Sequence, residues 1–164
     1  MKSSLSLLLF TLSFILFAGC QNPPEESAEL ILPESGIAIE DAWARPGRAN
    51  GVTAVYMHVL NGSAETDTLV AISSPVAGLV ELHETFDRGD GMMGMRESEE
   101  PFFPGESVVS MRPGGLHIML MQLREALQEG DEVEVTLEFS IAGEMTLSVP
   151  VQSPDSRTTG VHSH

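Results

Sequence analysis

The sequence predicts an all-β domain, and three observations lead to this class. Short segments rich in β-branched and aromatic residues alternate with gaps of Gly, Pro, Asn and Asp, which is the pattern of strands joined by turns. No part of the chain has the strand–helix–strand rhythm of a parallel sheet. A length of 164 residues leaves room for one ordinary domain. We therefore expect a β-sandwich or β-barrel of about eight short strands.

The strands are predicted from local composition, in chain order. We expect them at 37–45, 52–60, 68–73, 79–85, 107–111, 115–123, 132–140 and 145–151. In "EVEVTLEF" apolar and polar residues alternate strictly, which is typical of a strand with one buried face. Only 123–130 has helical spacing, and it predicts a helix of one or two turns at most. The folded domain is expected to span 37–152.

The N-terminal segment 1–19 has the features of a secretory signal. Lys2 precedes a nearly continuous apolar run that is too short to span a bilayer comfortably. Two small residues before Cys20 resemble a bacterial lipobox, which implies cleavage and lipidation at that cysteine. The protein would then be exported and anchored to a membrane, facing the periplasm or another extracytoplasmic space. An ordinary signal peptide with an incidental cysteine is the alternative.

Two further segments lack the periodicity of a folded element. Residues 20–36 are rich in Pro, Glu and Ser, and we expect a flexible tether there. Residues 153–164 are predicted to form a disordered tail. His162 and His164 form an H-x-H pair in this tail, which could capture Cu(II) because imidazole suits that ion. A terminus without metal is the alternative.

Charge and cysteine content exclude several classes of function. The formal net charge of −16 is hostile to nucleic-acid phosphates. Cys20 is the only cysteine, so an intrachain disulfide, a cysteine zinc site, an Fe–S cluster and a blue-copper centre are all excluded. No paired-carboxylate, Ser-His-Asp or Cys-His arrangement indicates catalysis, so we do not expect an enzyme. Any metal site must use His, Met and carboxylates.

The segment "HETFDRGDGMMGMR" (83–96) has several interpretations. Its G-x-G-x-x-G would bind a dinucleotide only between a strand and a helix, and here more turn and strand follow. Its Arg-Gly-Asp tripeptide is too short to carry weight, and its acidic residues do not have EF-hand spacing. The remaining interpretation is a soft-metal site, since methionine thioethers and the imidazole of His83 together suit Cu(I).

A second pair of soft ligands lies in "GGLHIMLM". His117 and Met119 are two residues apart, so on a strand they project from the same face. Alone, the pair is weak evidence. Met119 and Met121 could be core residues, and His117 could be a hydrogen-bonded surface histidine.

The two pairs together have the spacing of a family signature. His83, one adjacent residue, ten more, Met95, twenty-one more, His117, one more and Met119 resemble the signature of the PCu(A)C family of periplasmic copper chaperones. Segments such as "DAWAR", "PGGLHIMLMQL" and "GDEVEVTLEF" are similar to that family's segments, in the same order. The resemblance implies a cupredoxin-like or immunoglobulin-like β-sandwich, a Greek-key barrel, with those four residues as ligands of one Cu(I).

The resemblance also implies a role and partners. Cu(I) would be delivered to the dinuclear copper centre in the CuA domain of cytochrome oxidase subunit II, alongside a Sco-type thiol protein. Two alternatives remain: a copper buffer or resistance protein without a specific recipient, and a metal-free structural or adhesion lipoprotein. Glu84 departs from the family pattern, which often has Met there. As a strand neighbour of His83, it should point to the opposite face.

The other methionines and aromatic residues have simpler interpretations. Met92 and Met93 could be alternative ligands or lie on a transfer path, or could be loop side chains folded over the site. A second set is interpreted as structural: Trp43, Met57, His58, Met111 and Met145.

Overall fold

Ten strands make up the domain in the part of the chain that the structure describes. The structure, a computed structural model, describes residues 30–99 and 101–154. The strands are β1 (Ile37–Ala44), β2 (Val52–Asn61), β3 (Asp67–Ser73), β4 (Leu79–Asp87), β5 (Met93–Glu97), β6 (Phe102–Phe103), β7 (Ser107–Met111), β8 (Leu116–Met121), β9 (Glu132–Phe139) and β10 (Gly143–Pro150). Within these ranges, no helix is long and apolar enough to cross a membrane.

The strands form two sheets that enclose one core. The first sheet has six strands in the order β1-β2-β8-β4-β5, with β7 also paired to β2. The second has four strands in the order β10-β9-β3-β6. All the pairings between named strands are antiparallel. The prediction of an all-β sandwich is confirmed.

Alternation along β9 shows how the sequence builds this core. Val133, Val135, Leu137 and Phe139 are buried, and the residues between them are exposed or half-buried, as the pattern predicted. Each fully buried side chain of this size contributes about 1.5–3 kcal/mol through removal of apolar surface from water. Burial of this face of β9 therefore fixes the register of that strand in the second sheet.

The structure differs from the prediction at two places. It has ten strands where about eight were expected, because β5 and β6 were not predicted as strands. The helix predicted at 123–130 is wrong: this segment is a loop held by Leu123 and Leu127, both buried. Leu127 exchanges two backbone hydrogen bonds with Gly47, of 2.8 and 3.0 Å. The helical spacing of these leucines thus reflects two anchor points of a loop.

A break between β7 and β8 positions the strand that carries the second His/Met pair. Both strands pair with β2, and Tyr56 alone separates the two paired segments of β2. On the partner strands, the six residues 112–117 lie between the segment of β7 and the segment of β8 that pair with β2. Residues 112–115 of this insertion form a tight turn, in which Gly115 donates to the Arg112 carbonyl over 3.0 Å and Gly114 has a φ of +77°. Beyond the turn, β8 pairs with both β2 and β4.

Several predictions fall on residues outside the described ranges. Cys20 with its signal segment and the pair His162 and His164 all belong to this group. At the start of the described region, Gly36 donates to the Ser63 hydroxyl over 2.9 Å, and its carbonyl accepts from Gly62. The C-terminal end of the predicted tether is therefore hydrogen-bonded to the domain.

Candidate metal centre

Cross-strand register brings the two predicted histidine ligands together. His83 on β4 lies directly opposite His117 on β8. Their ring centroids are 6.2 Å apart and the ring planes meet at 61°. Because β4 and β8 are neighbours in the six-stranded sheet, two histidines that are thirty-four positions apart in the sequence become direct cross-strand partners.

The two predicted thioether ligands lie beside the His83–His117 pair, on the same face of the sheet. Met119 follows His117 by two residues, so both side chains project from the same face of β8. Met95 on β5 is paired with Thr85, which in turn shares a face with His83. The structure thus brings all four predicted residues to one face of three adjacent strands, and this face points away from the sandwich core.

The four side chains differ sharply in exposure. His117 is 3% exposed, and the His83 side chain is 16% exposed. Met119 is half-buried against a cluster of Trp43, Ala54 and Tyr56. Met95 is 62% exposed on an edge strand. Three donors are therefore held by packing, and the fourth faces solvent.

Hydrogen bonds orient both imidazoles. The Nδ1 of His117 lies 2.9 Å from the carbonyl oxygen of Gly115. A carbonyl oxygen can only accept, so Nδ1 carries the proton and Nε2 keeps its lone pair. The Nε2 of His83 lies 2.8 Å from Oε2 of Glu81. Each ring thus has one nitrogen bound to the protein and the other available.

An aromatic row supports His117 from the side of β2. The Tyr56 ring centroid is 6.2 Å from that of His117 and 4.7 Å from that of Trp43. Tyr56 and Trp43 are register partners and are both buried, as is expected of a structural Trp. Packing of this row restricts the rotamer of the histidine.

A cleft of about 460 Å³ opens beside these donors. Its wall includes His117, Met119 and Met95, together with Tyr56. Arg45 is the only charged side chain among the described residues that line it. The cleft is large enough for a side chain to enter next to both thioethers.

The donor set excludes the harder metal sites on this part of the chain. Among residues 30–99 and 101–154, no group of three or more His, Cys, Asp and Glu side chains is placed to hold a metal ion. Structural zinc, calcium and magnesium sites need such groups. On this face the side chains that join the two histidines as further donors are thioethers, and sulfur donors favour a soft ion.

The remaining predicted residues lie at the edge of the site or away from it. Met92 lies in the turn before β5 and Met93 begins that strand. The two are 61% and 60% exposed, so neither is folded over the site. Glu84 points to the opposite face, as expected, where Arg96 donates to it over 2.6 Å.

The residues interpreted as structural have structural surroundings. Met57 and Met111 are buried in the core and paired in register, and Met145 packs against the same core. The Nδ1 of His58 is 2.9 Å from the hydroxyl of Ser110.

Two contributors to the site were not found from the sequence. Glu81 precedes His83 by two residues, so strand alternation alone could have placed both on the same face. Tyr56 becomes visible only through the register of β2 against β8, which depends on the turn at 112–115.

Comparisons with known proteins agree with this architecture. The LpqE-like family model, described as a lipoprotein family, matches residues 37–151. Lxx21020 of Leifsonia xyli subsp. xyli, whose name describes a lipoprotein, is 35% identical over 118 residues, which cover 71% of this chain and 70% of that protein.

Two solved structures share the fold. The copper-bound PCuAC domain from PmoF2 has a TM-score of 0.61 and 29% identity, covering 73% of this chain and 95% of that one. The solution structure of CuI-DR1885 from Deinococcus radiodurans has a TM-score of 0.55 and 25% identity, covering 71% and 79%. The cupredoxin-like sandwich expected from the sequence is confirmed.

Proposed function

The chain belongs to the LpqE-like family and is a PCuAC-family protein, and from this premise we propose that it is an extracytoplasmic copper chaperone. It binds one Cu(I) through His83, Met95, His117 and Met119. The observation that carries the proposal is the placement of these four side chains on one face of three adjacent strands.

The chemistry of the donors supports Cu(I) as the cargo. Two thioethers and two neutral imidazoles carry no charge, and they suit a soft monovalent ion that tolerates low coordination. Thioethers do not titrate in water, so this half of the site needs no particular pH. The solved relatives include a domain with bound copper and a protein with bound CuI.

The exposure gradient supports transfer by ligand exchange. Met95 faces solvent on an edge strand, so it is the donor that an incoming ligand displaces first. The buried His117 is released last. The adjoining cleft admits the incoming side chain beside Met119 while the remaining ligands still hold the ion. No proton transfer or covalent intermediate is needed, and the proposed role is not enzymatic.

The proposed recipient is the CuA centre of a respiratory oxidase, with a Sco-type thiol protein acting on the same centre. Cys20 is proposed as the lipid anchor and His162 and His164 as an outer Cu(II) site. The lipoprotein names of the family model and of the Leifsonia xyli relative support the anchor.

A transfer assay tests the proposal. The purified chain, loaded with one Cu(I), is mixed with an apo CuA domain, and the copper content of each protein is measured after separation. Movement of copper to the CuA domain is expected. Retention of copper by the chain would favour a buffer over a chaperone, and failure to load one Cu(I) would favour a metal-free lipoprotein.

A further inference from the structure

We propose that Glu81 is a positioning residue of the copper site. It holds the neutral ring of His83 in the Nε2–H tautomer and thereby assigns Nδ1 as the atom that donates to copper. This inference rests on the copper-binding function proposed above. It also predicts that the two histidines bind the ion through different ring nitrogens.

The contact between Glu81 and His83 is direct and sheltered. The two residues lie on the same face of β4, and Oε2 of the carboxylate is 2.8 Å from Nε2 of the ring. Their side chains are only 26% and 16% exposed. A carboxylate oxygen accepts, so the ring nitrogen that it contacts must donate. The lone pair of neutral His83 is then on Nδ1.

His117 has the opposite arrangement. Its Nδ1 donates to the backbone carbonyl of Gly115 over 2.9 Å, which leaves Nε2 to bind the ion. Metal-binding histidines commonly donate their second nitrogen to a carboxylate or a backbone carbonyl, and this partner fixes both tautomer and ring orientation. In this site His83 donates to a carboxylate, and His117 donates to a backbone carbonyl.

Burial and hydrogen bonding, and not register, distinguish Glu81 from another nearby acid. Glu97 on β5 is the direct cross-strand partner of His83. It is exposed, however, and makes no hydrogen bond with the imidazole within the described structure. Glu81 is also paired across the ladder with Met119. It therefore lies between a predicted nitrogen ligand and a predicted sulfur ligand, and Glu97 is a matched control for its charge.

The first experiment reads the tautomers without copper. Long-range ¹H–¹⁵N spectra of the ¹⁵N-labelled apo chain are recorded at mildly alkaline pH. We expect His83 as Nε2–H and His117 as Nδ1–H in the wild type and in Glu97→Gln. In Glu81→Ala, His83 should become a mixture of tautomers while His117 is unchanged.

The second experiment measures Cu(I) affinity by competition with a chromophoric chelator. Glu81→Ala should weaken binding about 10- to 100-fold, as is usual when the partner of a metal-binding histidine is lost. Glu81→Gln should lose less, because its amide oxygen still accepts from Nε2–H. Glu97→Gln, which removes the same charge, should stay close to the wild type. Glu81→Thr, which suits a strand but is too short for the contact, replaces the Ala variant if that variant does not fold.

The outcomes separate this inference from the proposed function. An Nδ1–H tautomer at His83 in the wild type would overturn the inference. So would unchanged Cu(I) affinity in Glu81→Ala, or in Glu81→Thr where that variant replaces it, or an equal loss of affinity in Glu97→Gln. A wild-type chain that binds no Cu(I) would instead overturn the proposed function, and the inference with it.

Discussion

Met95 and Met119 present the same thioether donor in opposite surroundings. Met95 is 62% exposed on edge strand β5, whereas Met119 packs against the cluster of Trp43, Ala54 and Tyr56. Removal of either sulfur should weaken the copper site, but only one of the two changes should also weaken the fold. The asymmetry allows the metal-binding and structural effects to be measured separately.

The exposed thioether should matter for copper and not for stability. Met95→Leu should lower Cu(I) affinity by at least about tenfold. Loss of a metal ligand should weaken binding at least as much as loss of a residue that only orients a ligand. The free energy of unfolding of the apo chain should change by no more than about 0.5 kcal/mol, as is usual at exposed sites. Chelator competition and urea denaturation measure the two quantities. Met92→Leu is the control, since Met92 is equally exposed in the same hairpin; an equal loss of affinity there would contradict the assignment of Met95.

The packed thioether should affect both properties. Met119→Leu keeps the volume of the side chain, so it should cost under about 1.5 kcal/mol of apo stability while removing the sulfur ligand. Met119→Ala should lower apo stability further, by about 2 kcal/mol, because it leaves space beside Tyr56. Denaturation of both variants tests the packing, and chelator competition tests the ligand. Wild-type Cu(I) affinity in Met119→Leu would exclude this sulfur from the site.

The turn before β8 should control the placement of His117. Gly114 has a φ of +77°, and a Cβ added there would meet no atom within 4 Å. The strain in Gly114→Ala would therefore come from the left-handed backbone conformation and not from a steric clash. We expect a loss of about 1–2 kcal/mol of stability together with weaker Cu(I) binding, since the neighbouring Gly115 carbonyl orients His117.

Gly130→Ala provides the matched control for this turn. Gly130 has a φ of +95° and equally open surroundings, but it lies in the turn before β9, in the second sheet. It should lose similar stability by denaturation and keep its Cu(I) affinity. An equal loss of affinity in both glycine variants would indicate that general destabilisation weakens the copper site.

Local sequence pattern was sufficient for most strands, whereas the set of four predicted ligands came from the resemblance of their spacing to a family signature. Strict alternation identified β9, and the two-residue spacing of His117 and Met119 placed them on one face because the side-chain period of a strand is two. The strand β5 was missed because its residues, "MGMRE", are mostly exposed and contain no buried alternation. Its strand conformation depends on backbone pairing with β4.

The parts that escaped prediction depend on contacts distant in the sequence. Leu123 and Leu127 have the spacing of a helix face, but their burial against other segments holds a loop. The position of Tyr56 beside His117 follows from the turn at 112–115, whose effect on register cannot be derived from a local pattern.

X-ray absorption at the copper edge tests the central claim most directly. The purified chain is loaded with one equivalent of Cu(I), and the sulfur and nitrogen neighbours of the ion are counted. We predict two sulfur and two nitrogen ligands in the wild type, and one sulfur fewer in Met95→Leu. A shell of nitrogen and oxygen alone, unchanged in that variant, would contradict the proposed site.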